Sequence, residues 1–116
     1  MVFRALILPF GLCLLPFVIT PMAIAQEETD LDTRVRSFLD EHRRSWRDAN
    51  VPMADGQALH DIIVEHGYTN ALEIGTSTGH SAIWIAWALS KTGGKLITIE
   101  IDEGRYRQAL ENFEEA

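Results

Sequence analysis

The stretch LEIGTSTGHS at residues 72–81 decides the fold, because it joins a short apolar run to a glycine-rich turn. It predicts a strand at residues 70–74 and a helix at residues 81–90, with the turn between them. Gly75 lacks the Cβ that would block a ligand from the backbone, and Gly79 lets the helix start lie close against the strand. The backbone N–H groups of the loop and helix start are free to meet a ligand. The stretch therefore predicts a ligand-binding strand–turn–helix.

A second strand is predicted at residues 95–101, after a tight turn at residues 92–94. Its nearly continuous apolar side chains are typical of a buried parallel sheet that expects cover on both faces. The chain supplies helices for little more than one face. Strand, helix and strand with short joins form a βαβ unit, whose crossover we expect to be right-handed. Glu100 ends this strand, 25 residues after Gly75, where a carboxylate can accept both hydroxyls of a ribose.

Two other phosphate-binding loops do not fit the stretch. The nicotinamide fingerprint Gly-x-Gly-x-x-Gly, counted from Gly75, requires glycine where the chain has Ser77 and His80. A P-loop requires Gly-Lys-Ser/Thr, which does not follow the loop. These departures argue against a nicotinamide oxidoreductase. What remains is the pattern Glu-x-Gly-x-x-x-Gly.

Three further helices are predicted around this unit. One spans residues 32–48, with Thr29, Asp30 or Asp32 as its N-cap and a single apolar stripe formed by Leu31, Val35, Phe38, Leu39 and Trp46. A second spans residues 56–66, with Asp55 as cap, Gly67 as its end and an apolar face of Leu59, Ile62 and Ile63. The last spans residues 103–116, with Asp102 as cap.

Several side chains inside these elements are assigned structural roles. The central helix is expected to bury Ile83, Ala86 and Leu89, with Trp84 and Trp87 packing beside them. His80 is interpreted as a cap or stacking residue and not as a base or metal ligand. No function is assigned to the remaining three histidines, which are His42, His60 and His66.

Composition excludes some classes of function. The 116 residues carry a formal net charge of −7, which argues against nucleic acid as a partner, because phosphate binding needs clustered Lys and Arg. The basic cluster Arg43, Arg44 and Arg47 lies among acidic residues and is interpreted as a solvated helix face. The single cysteine, Cys13, leaves residues 26–116 without a disulfide or cysteine nucleophile.

The first 25 residues resemble an export signal. Arg4 precedes an apolar run that ends in Ala23-Ile24-Ala25, a small-residue cleavage pattern. The alternative is an uncleaved membrane anchor, since residues 5–25 are uncharged and long enough to span. The first basic residue after the run is Arg34, which follows four acidic residues, and this bias places the domain outside. We therefore expect an exported protein, with a membrane-anchored one as the alternative.

The residues from Val51 to Glu114 resemble the N-terminal half of the cation-dependent O-methyltransferases, which include catechol and caffeoyl-coenzyme A O-methyltransferases. The matching runs are residues 71–82, Gly56-Gln57 and residues 98–102. The family usually has tyrosine at the position of His80, where this chain departs. The resemblance implies an α/β, Rossmann-like methyltransferase fold that is incomplete here, consisting of the N-terminal helices and the first βαβα unit.

The resemblance also implies which residues would bind S-adenosylmethionine. Glu73, Gly75 and Ser81 would contact its methionine part, Glu100 its ribose and Ile101 its adenine. Val51 would line the mouth of the cofactor or substrate site. The remaining loop residues assigned to the cofactor are Thr76 and Gly79. No catalytic residue is identified in this chain, since the family's metal ligands and catalytic lysine lie after the third strand.

The sequence thus predicts a leader at 1–25, a linker and helix at 26–50, and the first part of a methyltransferase domain at 51–116. The expected enzyme transfers methyl to an oxygen of a small, phenolic acceptor, with a divalent cation such as Mg²⁺ in the complete enzyme. A homodimer is expected as one oligomeric state, and membrane contact only through an uncleaved leader. The alternative is a non-catalytic or decayed Rossmann-like nucleotide-binding module. Export conflicts with a cofactor that is made and held in the cytosol.

Overall fold

The computed structural model describes residues 29–47 and 49–116, and within them the chain forms four helices and one parallel sheet. The order is α1 (Asp30–Glu41), α2 (Met53–His66), β1 (Asn70–Ile74), α3 (His80–Thr92), β2 (Lys95–Ile99) and α4 (Glu103–Glu115). This confirms the predicted α/β class and the predicted order of elements. The predicted leader and the first linker residues lie outside the described residues. None of the helices within the described ranges is both long and apolar enough to span a bilayer.

Helix α1 begins as predicted and ends early. Thr29 caps it through a reciprocal pair of bonds with Asp32, a capping box. The helix ends at Glu41 and not at residue 48, because the backbone N–H and ring Nδ1 of His42 both bond the carbonyl of Phe38 and close the last turn. Trp46 therefore packs edge-on against Phe38 from the following turn and not from the helix. The exposed Arg43, Arg44 and Arg47 likewise lie beyond the helix.

Helix α2 begins at Met53, directly after Pro52, and not at Gly56. Asp55 is therefore a first-turn carboxylate and not the cap. The buried line is Gly56, His60 and Ile63, whereas Ile62, predicted to be buried, is 48% exposed. A Cβ on Gly56 would lie 2.2 Å from the Trp84 ring, so α2 approaches α3 along this glycine and turns Ile62 outward. Gly67 ends the helix in the left-handed conformation, as predicted.

The two strands pair in parallel from Asn70–Lys95 to Ile74–Ile99, as predicted. Strand β2 ends at Ile99 and not at residue 101, because the carbonyl of Ile99 accepts the N–H groups of Gly75 and Thr76 where β1 turns away. One face of the sheet, with Ala71 and Leu96, packs against the helices. The other face is open and carries Leu72, Ile74, Ile97 and Ile99.

Helix α3 is the centre of the fold. It contributes to both core clusters: Ile83, Trp84 and Trp87 pack with α1, and Ile85, Ala88 and Leu89 pack with α2 and the sheet. Both tryptophans are core residues, as predicted, but Ala86 is exposed. The helix buries a wider surface than one stripe because α1 and the sheet lie on different sides of it. Helix α4 starts at its predicted cap, where the Asp102 carboxylate accepts the N–H of Arg105.

Candidate functional site

The loop at residues 75–79 leaves the carboxyl end of β1 with three left-handed residues, Gly75 (φ 93°), Ser77 (φ 51°) and Gly79 (φ 98°). A Cβ built on Gly75 would meet no heavy atom within 4 Å. Glycine is therefore required there by the backbone angle, and the peptide is open to an approaching molecule. This agrees with the role predicted for Gly75 in the turn.

Gly79 has a different neighbour from the predicted one. A Cβ at this position would lie 2.7 Å from the ring of Phe113 on α4, so the glycine admits α4 and not the strand. Asn112 on the same helix donates its side-chain N–H to the carbonyl of Thr78, at 2.7 Å. Helix α4 therefore closes the loop from one side.

Beneath the loop, four side chains form one hydrogen-bonded network. The Glu73 carboxylate accepts from the Ser81 hydroxyl at 2.5 Å and from the Thr98 hydroxyl at 2.6 Å. The Thr76 and Thr98 hydroxyls lie 2.5 Å apart. The network ties the carboxyl ends of β1 and β2 to the first turn of α3. Three of the predicted site residues, Glu73, Thr76 and Ser81, are thus brought together.

Glu100 lies beside this loop and is held by backbone N–H groups. Its Oε2 accepts from Ser77 at 2.7 Å, and its Oε1 accepts from Ile101 and Asp102 at 2.9 Å each. The Asp102 and Ser77 N–H groups hold the pKa of this carboxyl below its usual range, so it is ionised at neutral pH. Ile101, which follows it, is 98% exposed and leaves an apolar side chain at the same end of the sheet.

Val51 is connected to the loop at residues 75–79 by a hydrogen bond to His80. The Val51 carbonyl accepts from Nδ1 of His80 at 2.8 Å, and the imidazole stacks on Trp46 with ring centroids 4.4 Å apart. Of the two roles predicted for His80, stacking is confirmed, whereas Gly79 and not His80 is the N-cap of α3. Asn50, next to Val51, donates to the Thr78 hydroxyl at 2.8 Å.

Sequence reasoning missed three residues that build this site. Thr98 was the detectable one, because it is a hydroxyl residue in the otherwise apolar run LITI. Asn50 and Asn112 bond Thr78 from 28 residues before it and 34 residues after it, and no local pattern distinguishes either from a surface amide. Within residues 29–47 and 49–116, no three His, Cys, Asp or Glu side chains cluster closely enough to hold a metal ion.

A sequence profile described as O-methyltransferase matches residues 22–116 of the chain. The chain belongs to the O-methyltransferase family. This match covers the loop at residues 75–79, Glu100 and all six described elements of the fold. No protein of curated function matches the chain.

Two solved O-methyltransferases share this fold. One is from Bacillus cereus, in complex with S-adenosylhomocysteine: the TM-score is 0.56, the identity is 27%, and the match covers 80% of this chain and 40% of that one. The other is TomG from Streptomyces achromogenes, involved in tomaymycin synthesis and in complex with S-adenosylmethionine. Here the TM-score is 0.56, the identity is 29%, and the shares are 79% and 40%. This O-methyltransferase chain thus spans about 40% of the length of the solved structures it matches.

Proposed function

We propose that this chain is the cofactor-binding part of an S-adenosylmethionine-dependent O-methyltransferase that acts on a small, phenolic acceptor. The observation that carries the proposal is the ionised Glu100 carboxylate, held by backbone N–H groups beside the open loop at Gly75. A nucleoside site of this kind needs a carboxylate that accepts hydrogen bonds from the ribose hydroxyls, next to a loop whose backbone the ligand can approach. No observation favours the alternative of a non-catalytic nucleotide-binding module.

Glu100 would hold the ribose of the cofactor. A carboxylate offers about four acceptor sites, and backbone N–H groups occupy three of them in Glu100. The remaining site, on Oε2, accepts one ribose hydroxyl directly. A second hydroxyl would share Oε1 with the Ile101 or Asp102 N–H. The exposed Ile101 side chain would pack on the adenine, an aromatic surface that gains by leaving water.

The methionine part of the cofactor would lie over the Glu73 network. Glu73 supplies a carboxylate for the cofactor's amino group, and Ser81 keeps that carboxylate in place through its hydroxyl. Gly75, Thr76 and Gly79 would form the backbone cradle, with Val51 at its mouth. Catalysis would consist mainly of aligning the acceptor oxygen with the methyl carbon on sulfur.

A divalent cation is expected for the complete enzyme, as a Lewis acid that lowers the pKa of the acceptor hydroxyl. The described residues offer no cluster for it, so its ligands would come from outside them. No step of this proposal runs through a metal ion.

Titration calorimetry with S-adenosylhomocysteine tests the proposal, on protein expressed from its complete reading frame. We expect binding by the wild type and binding that is about 10- to 100-fold weaker in Glu100→Ala, because hydrogen bonds to a charged group are lost. Glu103→Ala is the matched control, since Glu103 is an exposed carboxylate in the first turn of α4. Absence of binding by the wild type would refute the proposal, as would unchanged affinity in Glu100→Ala. Light scattering of the same sample tests the expected homodimer.

We also propose that residues 1–25 export the domain, with cleavage after Ala25, and that an uncleaved anchor is the alternative. The support is the charge bias of the sequence, with Arg4 before the apolar run and acidic residues after it. A reporter fused after Ala116 distinguishes the sides of the membrane. Active alkaline phosphatase with dark green fluorescent protein is the expected result, and the reverse pattern would contradict export.

A further inference from the structure

His80 is a buried polar residue at the first turn of α3, only 1% exposed. Its Nδ1 lies 2.8 Å from the carbonyl oxygen of Val51. Its Nε2 lies 3.2 Å from the indole nitrogen of Trp84 and 3.2 Å from the sulfur of Met53. One face of the ring stacks on Trp46. The imidazole thus contacts Trp84 on its own helix and three residues from the stretch before α2 and its first residue, Trp46, Val51 and Met53.

These contacts select one state of the ring. A carbonyl oxygen only accepts, so Nδ1 carries a proton and donates to Val51. An indole N–H only donates, so Nε2 is unprotonated and accepts from Trp84. Both bonds exist together only in the neutral imidazole protonated at Nδ1. Burial lowers the pKa of His80, against the opposing effect of the Val51 hydrogen bond, and this favours the same neutral form.

The segment held in this way, residues 49–53, lies against the cofactor loop at two points. Val51 bonds His80, which follows Gly79 directly, and Asn50 bonds the hydroxyl of Thr78. The segment has no regular structure until α2 starts at Met53, so these bonds fix its position. The other side of the same loop is bound by Asn112 of α4.

We propose that His80 is a positioning residue, which in its neutral Nδ1–H form holds the segment 49–53 against the loop 75–79 and thereby sets the affinity for the cofactor. The proposal rests on the proposed function, because it assigns the loop to the cofactor. His80 itself does not touch the reacting atoms in this scheme. It acts through the carbonyl of Val51.

A dependence on pH follows from the geometry. A proton on Nε2 would face the Trp84 N–H, so two donors would meet and the ring would have to turn. Two histidines lie against the aromatic rings that contact His80: His42 after α1, whose ring lies 6.3 Å from that of Trp46, and His60 on α2, whose ring lies 6.3 Å from that of Trp84. Arg47, next to Trp46, is exposed, and Glu115 of α4 lines the same cavity as Trp46.

The direction of the effect is set by the lowered pKa of His80 in the folded state. The stabilising contacts are fully present above the unfolded value, about 6.5, and are lost as the pH falls below it. Cofactor affinity should therefore be constant at neutral pH and decline as the pH falls below about 6.5 in the wild type.

Two variants separate the bonds of the ring. His80→Asn places an amide N–H where Nδ1 lies and can still donate to Val51, whereas His80→Gln places its amide where Nε2 lies and leaves the Val51 carbonyl unpaired. Ile85→Val is the matched control, because it removes one buried methylene on α3 in the other core cluster. At pH 8 we expect S-adenosylhomocysteine to bind His80→Asn within about 3-fold of the wild type and His80→Gln about 5- to 10-fold more weakly. The control should bind like the wild type.

A second measurement does not depend on the cofactor. Amide hydrogen exchange at residues 49–53, in protein from the complete reading frame, should be fastest in His80→Gln, slower in His80→Asn and slowest in the wild type. If the wild type fails to bind but exchange keeps this order, only the proposed function is refuted and the positioning contact stands. If the wild type binds and His80→Gln matches it in affinity, pH profile and exchange, the inference about His80 is wrong. A loss of affinity equal in His80→Gln and Ile85→Val would also overturn it, as an effect of stability alone.

Discussion

The two faces of the β1–β2 sheet carry apolar side chains of similar kind but have different surroundings. On the covered face, Ala71 and Leu96 pack against the cluster of Ile85, Ala88 and Leu89. On the open face, the cross-strand pairs are Leu72 with Ile97 and Ile74 with Ile99, with exposed fractions of 65%, 57%, 81% and 48% in that order. Burying one such side chain contributes about 1.5–3 kcal/mol. Because these four side chains are exposed, the free energy of unfolding is several kcal/mol lower than if they were buried. This is a large share of the usual total of about 5–15 kcal/mol.

The largest expected effect concerns the whole chain. Residues 26–116 alone should form a partly folded or associating species without methyl transfer, because the open face leaves the core too small to offset chain entropy. Urea denaturation, followed by circular dichroism and tryptophan fluorescence at several protein concentrations, measures this. A single transition with coincident probes, no concentration dependence and a monomeric elution volume would show that one covered face is sufficient.

A pair of leucine substitutions compares the two faces directly. Leu89→Ala, on the covered side, should cost about 2–5 kcal/mol in protein from the complete reading frame, because it leaves a cavity. Leu72→Ala should leave the helical ellipticity of isolated residues 26–116 unchanged. It should lower the free energy of unfolding as much as Leu89→Ala in protein from the complete reading frame, if further chain covers the open face there. Equal and small costs for Leu72→Ala in both proteins would show that this face stays open.

A smaller effect is expected where α1 joins the covered side. Asp32 is 4% exposed and accepts from Lys91, from the Trp87 indole at 2.6 Å and from the Thr29 backbone at 2.9 Å. The Lys91 ammonium, with the Thr29 N–H, holds the pKa of this carboxyl well below its usual range. The stability it contributes is therefore present above about pH 4 and lost as the pH falls further.

Urea denaturation of Asp32→Asn tests this contribution. The free energy of unfolding of the variant should be about 1.5–3 kcal/mol lower than that of the wild type at pH 7. Below pH 4 it should change less with pH than that of the wild type. Asp40→Asn is the control, since its contact with Arg43 is exposed and should contribute within about 0.5 kcal/mol. A wild-type profile that is already flat below pH 4 would contradict the role of Asp32.

The smallest effect is expected on the open face itself. Ile97→Thr keeps a β-branched side chain, so it should leave the helical ellipticity of isolated residues 26–116 unchanged. It should nevertheless reduce association in light scattering, because it breaks an exposed apolar strand surface. Ile62→Thr on α2, at the same 48% exposure as Ile99 but away from the sheet, should leave association unchanged. Equal association in both variants would show that the chains associate through a surface other than the open face of the sheet.

Local rules were sufficient for the order of the elements and for much of the loop. The caps at Thr29 and Asp102, the stop at Gly67 and the turn at Gly75 depend on residues within about one helical turn, and the structure has them as predicted. The carboxylate at Glu100 also followed from its position at a strand end. These features need only backbone geometry and near neighbours.

Contacts between distant parts of the chain decided the rest. Thr98 bonds Glu73 across 25 residues and Asn112 bonds Thr78 across 34. The residues around Gly79 likewise give no sign that Phe113 will lie against this glycine. The sequence determined that both strands are apolar. Only the tertiary structure decided which face is covered, because α3 and its neighbours can pack on just one side of a two-stranded sheet, and the pleat then directs alternate side chains toward or away from them.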